Sequence, residues 1–579
     1  MSTHARPLAE ALAARADAEL VALFSRREVR AGIGWEDFFD AAEALLEPAS
    51  IGRLIPRLTR DEARALFLAV RGGGATDSAD PGLIALALLS PSGLPYPGVA
   101  AVVGGLADPG DPPPAAAEGS RATDEQSTAR AAERAFTAVA VLADLLLLTQ
   151  ETPLGLLAGG SVGASEKRRA VERGLPGDPA LIDDLLAIGI EGGLLRAAER
   201  SLRLTVAGEE WLRLPGAERW AGLARGFEDA LPPALRRPGG GWPDPSTWAG
   251  AYPWDPAWPD AASARLRRAE LLGLIVDGEP TPWAAPLIDG SAPDLGSLRA
   301  LLPAEVDRVF LQNDLSAIAP GPLLPALDLR LRTMSERESA NQASSYRFTA
   351  DSIAAALAIG ETEDGILSFL DEISLTEVPQ PLRYLIAQGA QRHGLVRIVS
   401  DPMTGRTRVE STDAHLIDAL GVDQSLRPLG LVRDGASLST RVSRETVFWA
   451  LTDEHYPAAL IGADGRDERA SRVPPLAADP AQDPVARYDE LIRRLRAAQG
   501  PDADAAWLDR ELEHAVRQRA VLIVEVAMPD GSSKELLLEV TGLGGGRLRG
   551  RDRAADVERT LPIRSIRSTR LVGPENAGA

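Results

Sequence analysis

DRVFLQNDLSAIAPGPLLPAL, residues 307–327, decides how the middle of this chain folds. It predicts a short strand over 308–312, a turn through Asn313 and Asp314, an extended piece to Ala319, and a Pro-Gly-Pro lead into a helix. Downstream, SERESANQASSYRFTADSIAAALAIGETEDGILSFLDEIS (335–374) predicts an extended 346–348 and two helices, the first opened by Thr349 or Asp351. VPQPLRYLIAQGAQRHGLVRIVSD (378–401) sets Pro379 and Pro381 ahead of a helix with Leu382, Leu385, Ile386, Gly389 and Ala390 on one face. Gly394 ends that helix before a strand over 395–399. The whole is an α+β unit, with Gln380 placed at the helix cap.

Five short motifs stand here in order: LQNDLSAIAPGPL (311–323), ERES (336–339), YRFT (346–349), VPQPLRYLI (378–386) and QRHGLVRI (391–398). The set resembles the XPB N-terminal-like domain of helicase-associated proteins common in high-GC bacteria, over residues 305–420, and more loosely over the segment before it. The resemblance implies a DNA-associated role, because the corresponding domain of XPB-type helicases sits beside the motor and engages distorted DNA. The residues themselves argue against a motor. An ATP-driven helicase needs a P-loop whose lysine reaches the terminal phosphates and is followed by Ser or Thr. The only two lysines are Lys167, in SEKRR, and Lys534, in SSKEL, and neither fits. Asp453, Glu454 and His455 spell DEH without a P-loop upstream, a chance match.

Outward from the centre, residues 129–235 predict a winged-helix-like domain: helices near 131–148, 165–173 and 179–188, then two short strands. Asp178 and Pro179 open the third helix, and Leu181, Ile182, Leu185 and Leu186 form its apolar face. Its polar face shows Asp183 and Asp184, which phosphates would repel where a recognition helix normally offers Arg, Lys, Asn or Gln. The second helix carries Lys167, Arg168, Arg169 and Arg173, either a phosphate contact or a solvated face. In 236–300, Trp242, Trp248, Trp254 and Trp258 are interleaved with Pro and Gly. Burial against a neighbouring domain suits them better than base stacking, since only Arg236 and Arg237 border the segment.

At the C-terminal end, 485–575 predict an amphipathic helix over 507–519 and strands folding into a small β-barrel, with a hairpin around Pro529, Asp530 and Gly531. GGGRLRGRD and RTLPIRSI in series resemble the WYL domain of bacterial transcription regulators. VLIVEVAM lacks the tyrosine expected in that family, which puts ligand sensing in doubt. Arg547, Arg549, Arg551 and Arg553 alternate, so in a strand all four project from one face. They suit contact with successive phosphates, or a charged face that deters edge pairing, or docking on an acidic protein surface.

The expected fold class is α+β multidomain: a helical domain over 1–106, the winged-helix-like domain, the Trp/Pro-rich segment, the XPB N-terminal-like domain, its continuation over 421–461, and the barrel. Linkers are expected at 71–82, 107–128 and 462–484. Without cysteine the chain has no disulfides, zinc-thiolate sites or thiol nucleophile, and a formal charge of −21 opposes nonspecific attraction to phosphate. His393 has no second ligand at metal spacing. No cofactor or metal is expected, no signal peptide or membrane span is read, and the localisation is expected to be cytoplasmic. The functional expectation is a noncatalytic DNA-associated accessory protein in repair or transcription, with DNA as partner. The alternative is an adaptor that docks a separate helicase or regulator without touching nucleic acid.

Overall fold

The computed structural model describes residues 5–72, 80–110, 124–340, 343–468, 472–478, 484–500, 503–528 and 532–571. Parts of all three expected linkers, and residues 529–531, lie outside these. The chain is α+β and divides into two compact units: Ala117–Ser246 with Ser263–Ala478, and Met1–Ala116 with Thr247–Ala262 and Asp479–Ala579. Among the described residues no helix is long and apolar enough to cross a membrane.

In the first of these units, the helix Glu125–Glu151 starts where the Asp124 carboxylate accepts the Ser127 backbone N–H at 2.6 Å. Strand β1 (Leu154–Gly155) follows, then the helices Ala164–Glu172 and Pro179–Glu191, then β2 (Leu195–Ala198) and β3 (Ser201–Leu204). Asp178 caps the third helix by accepting the Ala180 N–H at 2.9 Å, and Ile182, Leu185 and Leu186 are buried. The three strands form an antiparallel sheet in the order β1-β3-β2. Glu199 and Arg200, both at positive φ, make the tight two-residue turn that a twisted hairpin favours. A short ribbon, β4 (Ile275–Val276) with β5 (Glu279–Pro280), follows later. Trp242 is buried edge-on against Phe227, at 6.2 Å between ring centroids.

The quoted central stretch builds a four-stranded antiparallel sheet from β6 (Phe310–Leu311), β7 (Ser316–Ala319), β8 (Glu336–Ala340) and β9 (Ser344–Arg347), ordered β6-β7-β9-β8. Helices Pro325–Met334, Ala350–Ala358, Glu363–Ile373 and Gln380–Arg392 cover it around Val309, Tyr346, Phe348, Ile353, Phe369 and Ile386. Of the two candidate caps, Thr349 makes the bond, accepting the Ser352 N–H at 3.0 Å. Pro379 occupies the cap of Gln380–Arg392, and Gln380 is already helical. Gly394, at φ +72°, ends that helix. The chain then enters a second sheet of β10 (Val396–Ser400), β11 (Thr407–Ser411), β12 (Val432–Asp434), β13 (Ser437–Thr440) and β14 (Ala458–Leu460). Its order is β12-β13-β11-β10-β14, with only the β10–β14 pair parallel.

In the other unit, helices near the start of the chain pack Leu8, Leu12, Phe24, Phe38, Leu45 and Leu66 into one core. Tyr488, Leu491, Leu495 and Trp507, from the helices Pro484–Ala497 and Ala503–Gln518, belong to the same core. The Tyr488 hydroxyl donates to the Val29 carbonyl at 2.9 Å, and Arg510 pairs with Asp40 at 2.8 Å and also with Asp37. Trp258 packs 4.6 Å from Tyr252 and donates to the Trp248 carbonyl, and Trp254 donates to the Ala107 carbonyl.

The C-terminal strands are β15 (Val521–Ala527), β16 (Ser533–Gly544), β17 (Arg547–Asp552), β18 (Val557–Pro562) and β19 (Ile566–Leu571). They form an antiparallel sheet ordered β18-β17-β16-β15-β19. The expected barrel is not closed: β18 and β19, its two edges, do not pair among the described residues. They are nevertheless consecutive, joined only by Ile563–Ser565, a link that can span little more than about 14 Å. The sheet must curl to bring its edges that near, and the irregularities at Val540/Gly542 and Glu525/Val526 supply added twist.

Candidate nucleic-acid interface

Two groups of basic residues stood out in the sequence, and the fold treats them differently. In the helix Ala164–Glu172 and just after it, three of the four cations are engaged by the chain itself. Lys167 Nζ lies 2.6 Å from Asp183 Oδ2, Arg169 lies 2.5 Å from Glu166, and Arg173 lies 2.8 Å from Glu151. Arg168 is exposed, with no partner among the described residues. On the next helix Asp184 is taken by Arg267 at 3.3 Å. The β2–β3 hairpin is engaged as well. Arg196 donates to the Ala477 carbonyl at 2.7 Å, Arg203 to the Pro474 carbonyl at 2.8 Å, and Leu476 exchanges backbone bonds with Leu204 and Val206. Sequence reading overlooked these two arginines, and the segment that covers them lies within the expected 462–484 linker.

Strand β17 behaves as its alternation predicts. Leu548, Gly550 and Asp552 face inward, and Arg547, Arg549 and Arg551 face out. Arg553 lies one residue past the strand and pairs with Glu539 at 3.2 Å, while Arg551 pairs with Asp556 at 2.6 Å. A third arginine, Arg559, reaches the buried Asp552 at 2.6 Å; this hydrogen bond holds the carboxyl below its usual range. Arg547 and Arg549 have no partner among the described residues.

Their surroundings are bare. Arg547 stands opposite Gly544 and Pro562, and Arg549 opposite Gly542 and Thr560. A Cβ built on Gly542, Gly544, Gly545 or Gly546 would meet nothing within 4 Å. No acidic side chain is paired across from either arginine, whereas Arg551 stands opposite both Glu539 and Glu558. The open cationic surface is therefore two arginines over exposed backbone, half the stripe read from spacing. The glycines of TGLGGGRLRG were the available signal for where the stripe stays open.

The lysines do not sit on phosphate loops: Lys167 lies within a helix and Lys534 within β16. Asp453 ends the helix Arg444–Asp453 and pairs with Arg472. His393 is half-buried beside Asp467 at 3.6 Å, and burial lowers its pKa. Among the described residues no group of three or more metal-ligating side chains occurs.

Fold and surface together define an α+β protein with a small basic sheet face. Residues 309–434 match the sequence model of a family described as a helicase conserved C-terminal domain. The match begins next to β6 and ends with β12, so it takes in the whole four-stranded sheet and part of the next. It makes this segment helicase-related and covers well under half of the chain. No curated protein matches the sequence.

Proposed function

We propose that this chain is a helicase-related accessory protein that contacts nucleic acid and has no ATP-hydrolysing motor of its own. The observation that carries the reading is the helicase-family match over 309–434 in a sequence whose two lysines both lie outside any P-loop pattern. The XPB N-terminal-like reading of 305–420 agrees in position with that match. The helix–strand–helix–helix–hairpin order, with sheet order β1-β3-β2, supports the winged-helix reading of 129–235. A helix laid across a curled five-stranded antiparallel sheet supports the WYL-like reading of the C-terminal module.

Phosphate contact falls to Arg547 and Arg549, with Arg551, Arg553, Lys167, Arg169 and Arg173 already neutralised by internal partners and Arg168 standing alone. Repair and transcription remain the pathway classes proposed. The second reading, an adaptor for a separate helicase or regulator, draws on those same internal ion pairs and the net charge of −21. An ATPase assay with and without forked DNA tests the motor claim: turnover no higher than that of a Lys167→Ala, Lys534→Ala chain is expected. DNA-stimulated turnover lost in that variant would overturn it. Anisotropy titration with duplex, single-stranded and forked DNA separates the two readings, because the adaptor reading predicts no binding to any of them at low salt.

A further inference from the structure

Residues 349–411 hold three helices and a hairpin in succession: Ala350–Ala358, Glu363–Ile373 and Gln380–Arg392, then β10 and β11, paired antiparallel from Val396 opposite Ser411 to Ser400 opposite Thr407. Apart from the short β1, this is the order of elements in residues 129–235, here inside the helicase-related segment. The third helix is seated by its apolar side. Leu382 and Ile386 are fully buried, and Gly389 lets the backbone close on the first helix, where a Cβ would stand 2.8 Å from Ile353 Cγ2 and 3.4 Å from Leu357 Cδ1.

The opposite side is open. At helical spacing Gln380, Tyr384, Gln388, Gln391 and Arg392 fall on one stripe, away from Leu382 and Ile386, and all five are exposed. Tyr384 is 68% exposed. None of the five side chains has a partner among the described residues. The helix contains no carboxylate. Arg383, on its flank, is taken by Asp371 of the second helix at 3.2 Å, and the exposed Glu372 and Glu377 precede the third helix rather than stand on it. The counterpart helix Pro179–Glu191 differs at this point, since its polar face holds Asp183 and Asp184.

We infer that the helix Gln380–Arg392 reads duplex DNA, entering the major groove with Gln380, Tyr384 and Gln388 turned to base edges. In helix-turn-helix folds of three helices the third lies in that groove. A glutamine amide offers a donor and an acceptor together, the match for adenine N7 and N6, and a stripe of amides with one arginine meets no repulsion from flanking phosphates. A protein partner would find only the Tyr384 ring to bury there. The inference rests on the nucleic-acid reading and adds to it a preference for sequence, which arginines over phosphate do not supply.

The test is selection of binding sites by the full-length chain from a random-sequence duplex pool, followed by anisotropy titration of the selected duplex and of the unselected pool. Wild type should enrich one short motif and bind it at least about tenfold more tightly than the pool. Tyr384→Ala, Gln388→Ala should bring the selected duplex down to the affinity of the pool. Pool binding, its salt slope and the circular dichroism melt should not change, because both side chains are exposed and uncharged. Gln388→Lys should select guanine where wild type selects adenine. Arg547→Ala, Arg549→Ala should weaken pool and selected duplex alike and keep the motif. Duplex binding without an enriched motif, the result expected if this face serves a protein instead, overturns the inference and leaves the nucleic-acid reading standing. A motif that survives unchanged in the variants at Tyr384 and Gln388 overturns it as well, and no duplex binding at all overturns both.

Discussion

At the scale of single residues, partners matter more than residue type. Of the four arginines that alternate through β17 and beyond, two are held by carboxylates of their own sheet and two are open, a difference that spacing alone does not reveal. Arg551→Ala should therefore change DNA affinity less than Arg549→Ala. Glu511 gives a second residue-level prediction. It is 8% exposed, and burial pushes its carboxyl up to about 7 from the usual 4.5. A carboxyl raised on folding favours the folded state fully below pH 4.5; that contribution fades as pH rises through 7, where the buried group must ionise. The loss is on the order of 3 kcal/mol. Glu511→Gln should thus stabilise the chain by about that amount at pH 8 and hardly at all at pH 4, read by urea unfolding at both pH values.

At the scale of elements, capping and close approach explain why these helices sit where they do. Asp178→Ala removes the acceptor for the Ala180 N–H and should cost about 1 kcal/mol. Gly389 lies where the helix Gln380–Arg392 crosses Ala350–Ala358: a Cβ there would stand 2.8 Å from Ile353 Cγ2. Gly389→Leu should destabilise the four-stranded layer by roughly 1–3 kcal/mol, seen as a lower unfolding midpoint. For the helix Ala164–Glu172, a Lys167→Ala, Arg173→Ala chain should bind DNA within about twofold of wild type, because both cations are already paired. Most elements could be read from the sequence because caps, prolines and apolar periodicity are local signals; the Asp178 and Thr349 caps are examples. Closure of the C-terminal barrel could not be read, since it depends on whether two edge strands pair.

At the scale of the whole molecule, what escaped the sequence is tertiary. Nothing near Tyr488 signals that its ring packs on Phe24 and its hydroxyl bonds Val29, partners more than 450 residues away. The same distance hides the coverage of Arg196 and Arg203 by residues 474–477, and the meeting of Asp144 with Arg332 and Arg337. A chain ending at residue 478 should lose the cooperative unfolding of residues 5–72 and 80–110, because Tyr488, Leu491, Leu495 and Trp507 are taken from their core. The proposed phosphate contact through Arg547 and Arg549 sets a small and countable salt dependence. Two contacts to duplex DNA contribute a slope of about 2 in log affinity against log salt, roughly a tenfold loss between about 50 and 200 mM. The most direct test is that slope for the wild-type chain and for Arg547→Ala, Arg549→Ala: weak binding whose slope falls by about 2 in the variant is expected, and an unchanged slope, or no binding at low salt, would overturn phosphate contact by these two arginines.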